Sequence, residues 1–203
     1  MDVVENVLTF WFGGTDLTRD IELRDVWFRS TPEFDADIHA RFGDTTKAAA
    51  AGELDHMRAD REGCMALTIL LDQFPRNLYR DTAMAFAADP KARAVARHVL
   101  DNDFHEDFSF WPRVFAFLPL EHSEDLADQE LSVELLGSLG DETAAKAAID
   151  HHAVIERFGR FPHRNAALGR ENTPEEAQYL KTPPTWGKTA AELEEMENTQ
   201  NDA

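Results

Sequence analysis

Apolar and polar positions alternate along this chain with a helical period almost throughout. Phe34, Ile38 and Phe42 recur at spacings of four, which lines one face of a helix over residues 32–51 and leaves charge on the other face. The run CMALTILL, residues 64–71, is apolar on every side, and a helix tolerates that only when other helices surround it. The segment from Gly63 to Phe74 is therefore expected at the centre. Leu126, Gln129, Val133 and Leu136 share a further stripe, begun by Ser123 as the cap and ended near Gly137 and Gly140. Ala144, Ala148, His151 and Ile155 line the next helix, capped by Asp141 and closed by Gly159, and the two helices are expected to form an antiparallel pair.

Punctuation agrees with this pattern. Thr31-Pro32 and Asp89-Pro90 each place a capping side chain before a proline at the first helical position. Thr173-Pro174-Glu175-Glu176 adds a reciprocal capping box, with Glu176 able to reach back to the Thr173 N–H. Ala and Leu outnumber Val and Ile several-fold, a balance that suits helices rather than pleated strands. The fold expected is all-α, a single helical domain over residues 1–182 built of antiparallel helix pairs. An acidic tail, residues 183–203, follows as a peripheral helix or a frayed end.

Composition narrows the function classes without naming a reaction. The chain's 203 residues suit one domain with a proper core, and 43% hydrophobic with 29% charged residues describe a soluble globular protein. No apolar run approaches the roughly 20 residues that cross a bilayer, so a membrane is not an expected partner. Lys and Arg number 20 against 39 Asp and Glu, and a net charge of −19 repels a polyanion, which disfavours nucleic acid as well. The single cysteine closes no internal disulfide, and the acidic start MDVVENVL lacks the basic and apolar regions of a secretory signal; a cytoplasmic location is expected. Cys64 itself lies in an apolar run without a basic neighbour, where a thiol stays protonated and inert.

Three stretches are denser in polar groups than folding demands: LDQFPRNLYR (71–80), PLEHSEDLADQ (119–129) and RFGRFPHRNAALGR (157–170). They are expected to meet in space. Pro75 disfavours the α region for Phe74, so the buried helix is expected to end there, leaving Asp72 and Gln73 at a buried terminus with Arg76 and Arg80 as the nearest compensating charges. Glu121 and His122 precede the Ser123 cap, and Glu124 and Asp125 suit the first turn of the helix that follows. The third stretch holds Arg157, Arg160, Arg164 and Arg170 with no acid, and guanidiniums seek carboxylates or phosphates in forked geometry. A faint echo links Phe74-Pro75-Arg76-Asn77 with Phe161-Pro162-His163-Arg164-Asn165.

Several readings stay open at this point. The arginines can be neutralised internally by Glu121, Glu124, Asp125 and Asp128. Alternatively Arg76, Arg80, Arg160, Arg164 and His163 line a pocket for a small phosphorylated or carboxylated molecule, with Asp72, Asn77, Glu124, His151, Asn165 and Arg170 around it. In a third reading Glu121, His122 and His163 perform acid–base catalysis of a hydrolase type. Glu121, His122, Glu124 and His151 carry metal donors, but HExxH, paired ExxH and CxxC motifs are absent, so no metal is assigned and the cofactor is left open. Aromatic clusters at Phe10-Trp11-Phe12, Trp27-Phe28 and Phe108 to Phe117 read as core or, where exposed, as a groove for a peptide.

At VLTFWFG, LLDQFPRNLYR, PLEHSEDLADQ, HHAVIERFGRFPHRNAALGR and TPEEAQYL the chain resembles the bacterial helical proteins grouped as domain of unknown function family 924, over roughly residues 5 to 181. The resemblance implies a tetratricopeptide-like helical fold, although no 34-residue consensus is visible, and it supplies no established activity. It places Asp72, Gln73, Arg76, Asn77, Arg80, Glu121, His122, Ser123, Glu124, Gln129, His151, Arg160, His163, Arg164, Asn165 and Arg170 on the family's pattern.

Overall fold

The structure, a computed structural model, describes residues 2–201, with side chains to residue 198; Met1 of the expected domain and Asp202 and Ala203 of the expected tail lie outside the described residues. The helices run in the order α1 (Val3–Phe12), α2 (Pro32–Ala51), α3 (Arg61–Thr68), a π-helical turn (Ile69–Gln73), α4 (Phe74–Leu78), α5 (Asp89–Asp101), α6 (Phe110–Glu121), α7 (Leu126–Ser138), α8 (Glu142–Phe158), α9 (Pro174–Tyr179) and α10 (Ala190–Asn201). The fold is all-α, and no strand forms among the described residues.

The sequence signals act where expected in most places. Thr31 accepts the Phe34 N–H and starts α2 at Pro32, Asp141 accepts the Ala144 N–H and starts α8, and Thr173 with Glu176 completes the capping box of α9. Gly159 closes α8 in the left-handed region at φ +67, a conformation that glycine adopts without steric cost. Residues 64–71 are buried throughout. Around them the aromatic groups pack edge to face: Phe115 meets Trp11, Phe12 and Trp27 with centroids 5.5, 5.6 and 5.1 Å away.

Three local expectations are corrected. The buried helix does not end at Phe74, which keeps right-handed helical angles; instead the Phe74 N–H donates to Ile69 O five residues back. That widened π turn relieves the contact a proline ring makes with the carbonyl of the residue four before it, so the chain continues into α4. Ser123 does not cap α7, since Asp125 does so by accepting the Ala127 N–H, and this leaves Glu124 outside the helix. Leu126, expected on the apolar stripe, is 43% exposed in consequence. Asp89 is the first residue of α5 rather than its cap, and its carboxylate serves two arginines.

The turn between α6 and α7 is drawn tight by Gln129, whose fully buried amide donates to the carbonyls of Glu121 and Ser123 at 2.6 Å each. That clamp fixes the last turn of α6, and with it Glu121 and His122, against the π turn.

Candidate functional site

The π turn brings Asp72 to the interface between the apolar core and a second, polar interior. Its carboxylate is fully buried, accepts from Gln73 Nε2 at 2.6 Å and lies 3.1 Å from Arg76 Nη1. His122 Nδ1 stands 2.9 and 3.0 Å from its two oxygens. Because a carboxylate accepts, Nδ1 carries the proton, and a neutral His122 ring then has its lone pair on Nε2. Burial alone raises the Asp72 carboxyl, but Arg76 and His122 outweigh it and hold the group at about 2. Burial and the Arg76 charge push His122 below the ordinary imidazole range, against the opposing pull of Asp72.

Glu121 and His151 form the next layer. Glu121 is 4% exposed, and burial followed by repulsion from Asp72 drives its carboxyl up to about 8, so that it holds its proton at neutral pH. Its Oε1 lies 3.5 Å from His151 Nδ1, which donates to the Ala147 carbonyl at 2.8 Å, while its Oε2 is without a partner. Burial, with His122 adjacent, holds His151 well below the ordinary imidazole value.

Arg164 closes the cluster. Its Nη1 reaches Asp89 Oδ2 at 3.3 Å, and Arg76 grips the same carboxylate with Nη1 at 3.0 Å and Nη2 at 3.1 Å. The two echoing motifs thus converge on one acid. The guanidinium of Arg164 stands over the rings of Phe86 at 4.5 Å and Phe161 at 4.4 Å, and its buried Nε has no partner. Burial, then repulsion from Arg76, pulls it down to about 10. Beside it, burial and the Arg164 charge lower His163 to about 3, and His163 Nδ1 is likewise buried without a partner.

Not every expected residue joins this centre. Asp72, Arg76, Glu121, His122, His151, His163 and Arg164 come together. Glu124, Arg170 and Asn165 form its edge: Glu124 accepts the Phe161 N–H at 2.7 Å and takes Arg170 in forked geometry at 2.8 and 2.9 Å, while Arg170 Nε donates to Asn165 Oδ1 at 2.8 Å. Asn77 and Arg80 turn instead to Asp35 on α2, at 2.7 and 3.1 Å; the residue four after Asp72 on the same face is Arg76, and Arg80 lies beyond the end of α4. Arg160 lies on the outer face, forked onto Glu176 at 2.6 and 2.8 Å, beside a surface groove of about 400 Å³. The pocket expected from Arg80 and Arg160 together with Arg164 is therefore corrected.

The internal neutralisation also differs from the expected one. Of the four acids in the second stretch only Glu124 meets an arginine of the third; Asp125, the cap of α7, and Asp128 within α7 pair with Arg93, and Asp128 also with Arg97, both arginines lying on α5. The third stretch is served by Glu175, Glu176 and Asp89.

Sequence reasoning missed Asp89, Phe86, Phe161 and Trp186. Asp89 was absorbed by its reading as a helix cap. Trp186 had a signal that went unused, a single large aromatic among the prolines and acids of the tail. Its indole stacks on the His151 ring with centroids 3.6 Å apart.

Among the described residues no three His, Cys, Asp or Glu side chains are grouped to hold a metal ion, and no helix is long and apolar enough to cross a membrane. The family profile described as "Bacterial protein of unknown function (DUF924)" matches residues 7–184. A solved structure of a protein of unknown function from Agrobacterium tumefaciens is similar at a TM-score of 0.80 and 40% identity, covering 88% of this chain and 96% of that one. No curated protein matches the chain. With that profile spanning most of its length, including every residue of the buried polar cluster except Trp186, the chain belongs to the DUF924 family of bacterial proteins.

Proposed function

We propose that this protein binds a small carboxylate- or phosphate-bearing molecule at the buried cluster around Arg164. One observation carries the reading. Of twelve buried side-chain polar atoms without partners among the described residues, three, Arg164 Nε, Glu121 Oε2 and His163 Nδ1, belong to side chains of this one cluster. Arg164 is 5% exposed and has a single ionic contact, to a carboxylate that Arg76 grips in forked geometry. A guanidinium so placed favours a second anion. The neutral histidines and protonated Glu121 add hydrogen-bonding groups without competing charge. The cytoplasm is the compartment this reading assigns, in keeping with the buried free thiol of Cys64, which burial pushes up to about 11.

Thermal unfolding in the presence of inorganic phosphate, acetate and succinate tests the proposal. The midpoint is expected to rise with at least one of them in the wild type and to stay unchanged in Arg164→Met. A midpoint indifferent to all three at millimolar concentration overturns the reading.

The contact between His122 Nδ1 and Asp72 at 2.9 Å favours a second reading, an acid–base hydrolase. In it His122 Nε2 takes the proton of an attacking water and Glu121 supplies the proton to the leaving group. Turnover of activated esters or amides that is lost in His122→Gln, with an alkaline limb set by Glu121, supports this reading over simple binding. The absence of any His122-dependent turnover removes it.

A further inference from the structure

The segment joining α9 to α10 crosses the cluster, and Trp186 is its point of contact. The indole lies nearly parallel to His151, at 19° between planes, and presents its edge to Phe161 at 6.2 Å and to His163 at 5.7 Å. It is only partly buried there. The rest of the segment is held loosely. Pro183 and Pro184 have no N–H to give, and among the described residues no backbone hydrogen bond ties residues 183–186 to the helices. The attachments come afterwards, where Arg80 donates to the Gly187 carbonyl and the Ala190 N–H to Ser30 at 2.9 Å. The side chain is thus a ring held by ring contacts, on a stretch of chain anchored at its far end, beside His163, one of the residues with an unpartnered atom. Trp186 also lies just beyond residues 7–184, whereas His151, His163 and Arg164 lie within them.

We propose that Trp186 occupies a subsite for the planar ring of the ligand, so that an aromatic or heteroaromatic acid stacks on His151 in its place, directs its carboxylate or phosphate to Arg164, and displaces the segment 183–186. This deepens the proposed function and rests on it. The subsite accepts a flat ring because a ring already fits it at stacking distance from His151, and the Phe161 ring, nearly perpendicular to the indole, carries the Arg164 guanidinium 4.4 Å from its centroid. Docking of the indole and binding of the ligand exclude one another. The closed segment therefore lowers the apparent affinity by the fraction of molecules that are open.

The experiment compares wild type and Trp186→Ala by calorimetric titration with four probes: naphthoate, benzoate, cyclohexanecarboxylate and inorganic phosphate. Circular dichroism first verifies that the variant is folded. Naphthoate and benzoate are expected to bind the variant about tenfold more tightly than the wild type, with little change for the two non-aromatic probes. Trp186→Phe is expected to fall between them. In wild type labelled with fluorotryptophan, naphthoate is expected to move the Trp186 resonance toward the position of exposed indole. Equal or weaker binding of the aromatic acids by Trp186→Ala, while acetate or phosphate still binds through Arg164, overturns the subsite and leaves the anion site standing. No binding of any probe by either protein removes both.

Discussion

The protein has two interiors that are equally dry and opposite in chemistry. On one side Trp11, Phe12 and Phe115 are 0–2% exposed, and the rings of Trp11 and Phe12 pack edge to face with that of Phe115. On the other, Asp72, Glu121, His151 and Arg164 are 0–5% exposed and touch charges, amides and imidazoles. The π turn is the seam, with Ile69, Leu70 and Leu71 in the first interior and Asp72 and Gln73 opening onto the second. Apolar burial stabilises in proportion to area, whereas a buried ion pair does little better than break even against hydrophobic groups of the same shape. The lesson is a division of labour. One interior holds the chain folded, and the other retains expensive, incompletely satisfied groups whose explanation lies in what they can bind.

The largest effect is expected in the apolar interior. Phe115→Ala deletes a fully buried ring at the junction of four aromatic neighbours, and urea unfolding should register a loss of about 4 kcal/mol. Gly63→Ala should be comparably severe, since a Cβ there meets the Met57 carbonyl oxygen at 1.9 Å and backbone must move. If either variant costs less than about 1 kcal/mol, the first interior is not what holds the fold.

Next comes the polar interior. Asp72→Ala strands Arg76, but Arg76 keeps the Asp89 carboxylate, so a loss of about 2–3 kcal/mol is expected, less than for a buried ion left alone. The double variant Asp72→Ala, Arg76→Met should recover part of that loss, whereas no double variant in the apolar interior should recover anything by removing more. Strict additivity at Asp72 and Arg76 breaks the distinction between the two interiors.

Glu121 sharpens it through pH. Its folded pKa, about 8, lies above the ordinary 4.5. A raised carboxyl contributes stability that is complete below the unfolded value and is lost as pH rises through the folded one, here between about 4.5 and 8. Glu121→Gln keeps the shape and removes the ionisation. The variant should therefore gain on wild type as pH rises from 5 to 8, by about 3 kcal/mol at the upper end. His163 works in the opposite direction: depressed to about 3, it contributes stability that is present above pH 6.5 and lost as pH falls toward 3. A gap between Glu121→Gln and wild type that is constant across pH contradicts a buried, protonated Glu121.

The same division explains what was legible in the sequence. The helices α2, α8 and α9 follow from local signals, because a stripe at period 3.6 and a cap within three residues are properties of short segments. The meeting of the three polar stretches was expected from their density in polar groups, and it holds for Asp72, Arg76, Glu121, His122, His163 and Arg164, whereas Arg80, expected beside Asp72, pairs with Asp35. What escaped were pairings over long separations. Asp89 looked like a cap because Asp-Pro is a common helix start, and only the fold places Arg76 and Arg164 on its carboxylate. The continuation through Phe74 escaped for a different reason: a proline rule derived for the α register does not apply once the turn widens to the π register. Among the arginines, sequence gave four equivalent charges at Arg157, Arg160, Arg164 and Arg170, and burial alone separates them.

That separation supplies the smallest expected effect. Arg157 pairs with Glu175 at 2.8 Å, but both side chains are more than half exposed. Water screens the pair and ordering two long side chains offsets its attraction, so Arg157→Ala should change stability by less than about 0.5 kcal/mol and leave anion binding as it was. Arg164, seven residues along, has the poorer ionic geometry, a single contact at 3.3 Å, yet is 5% exposed. If distance governed, Arg157 would matter more; if burial governs, Arg164→Met should abolish the anion-dependent rise in the unfolding midpoint and Arg157→Ala should not. Equal behaviour of the two variants in that measurement would mean that the second interior is only another set of ion pairs.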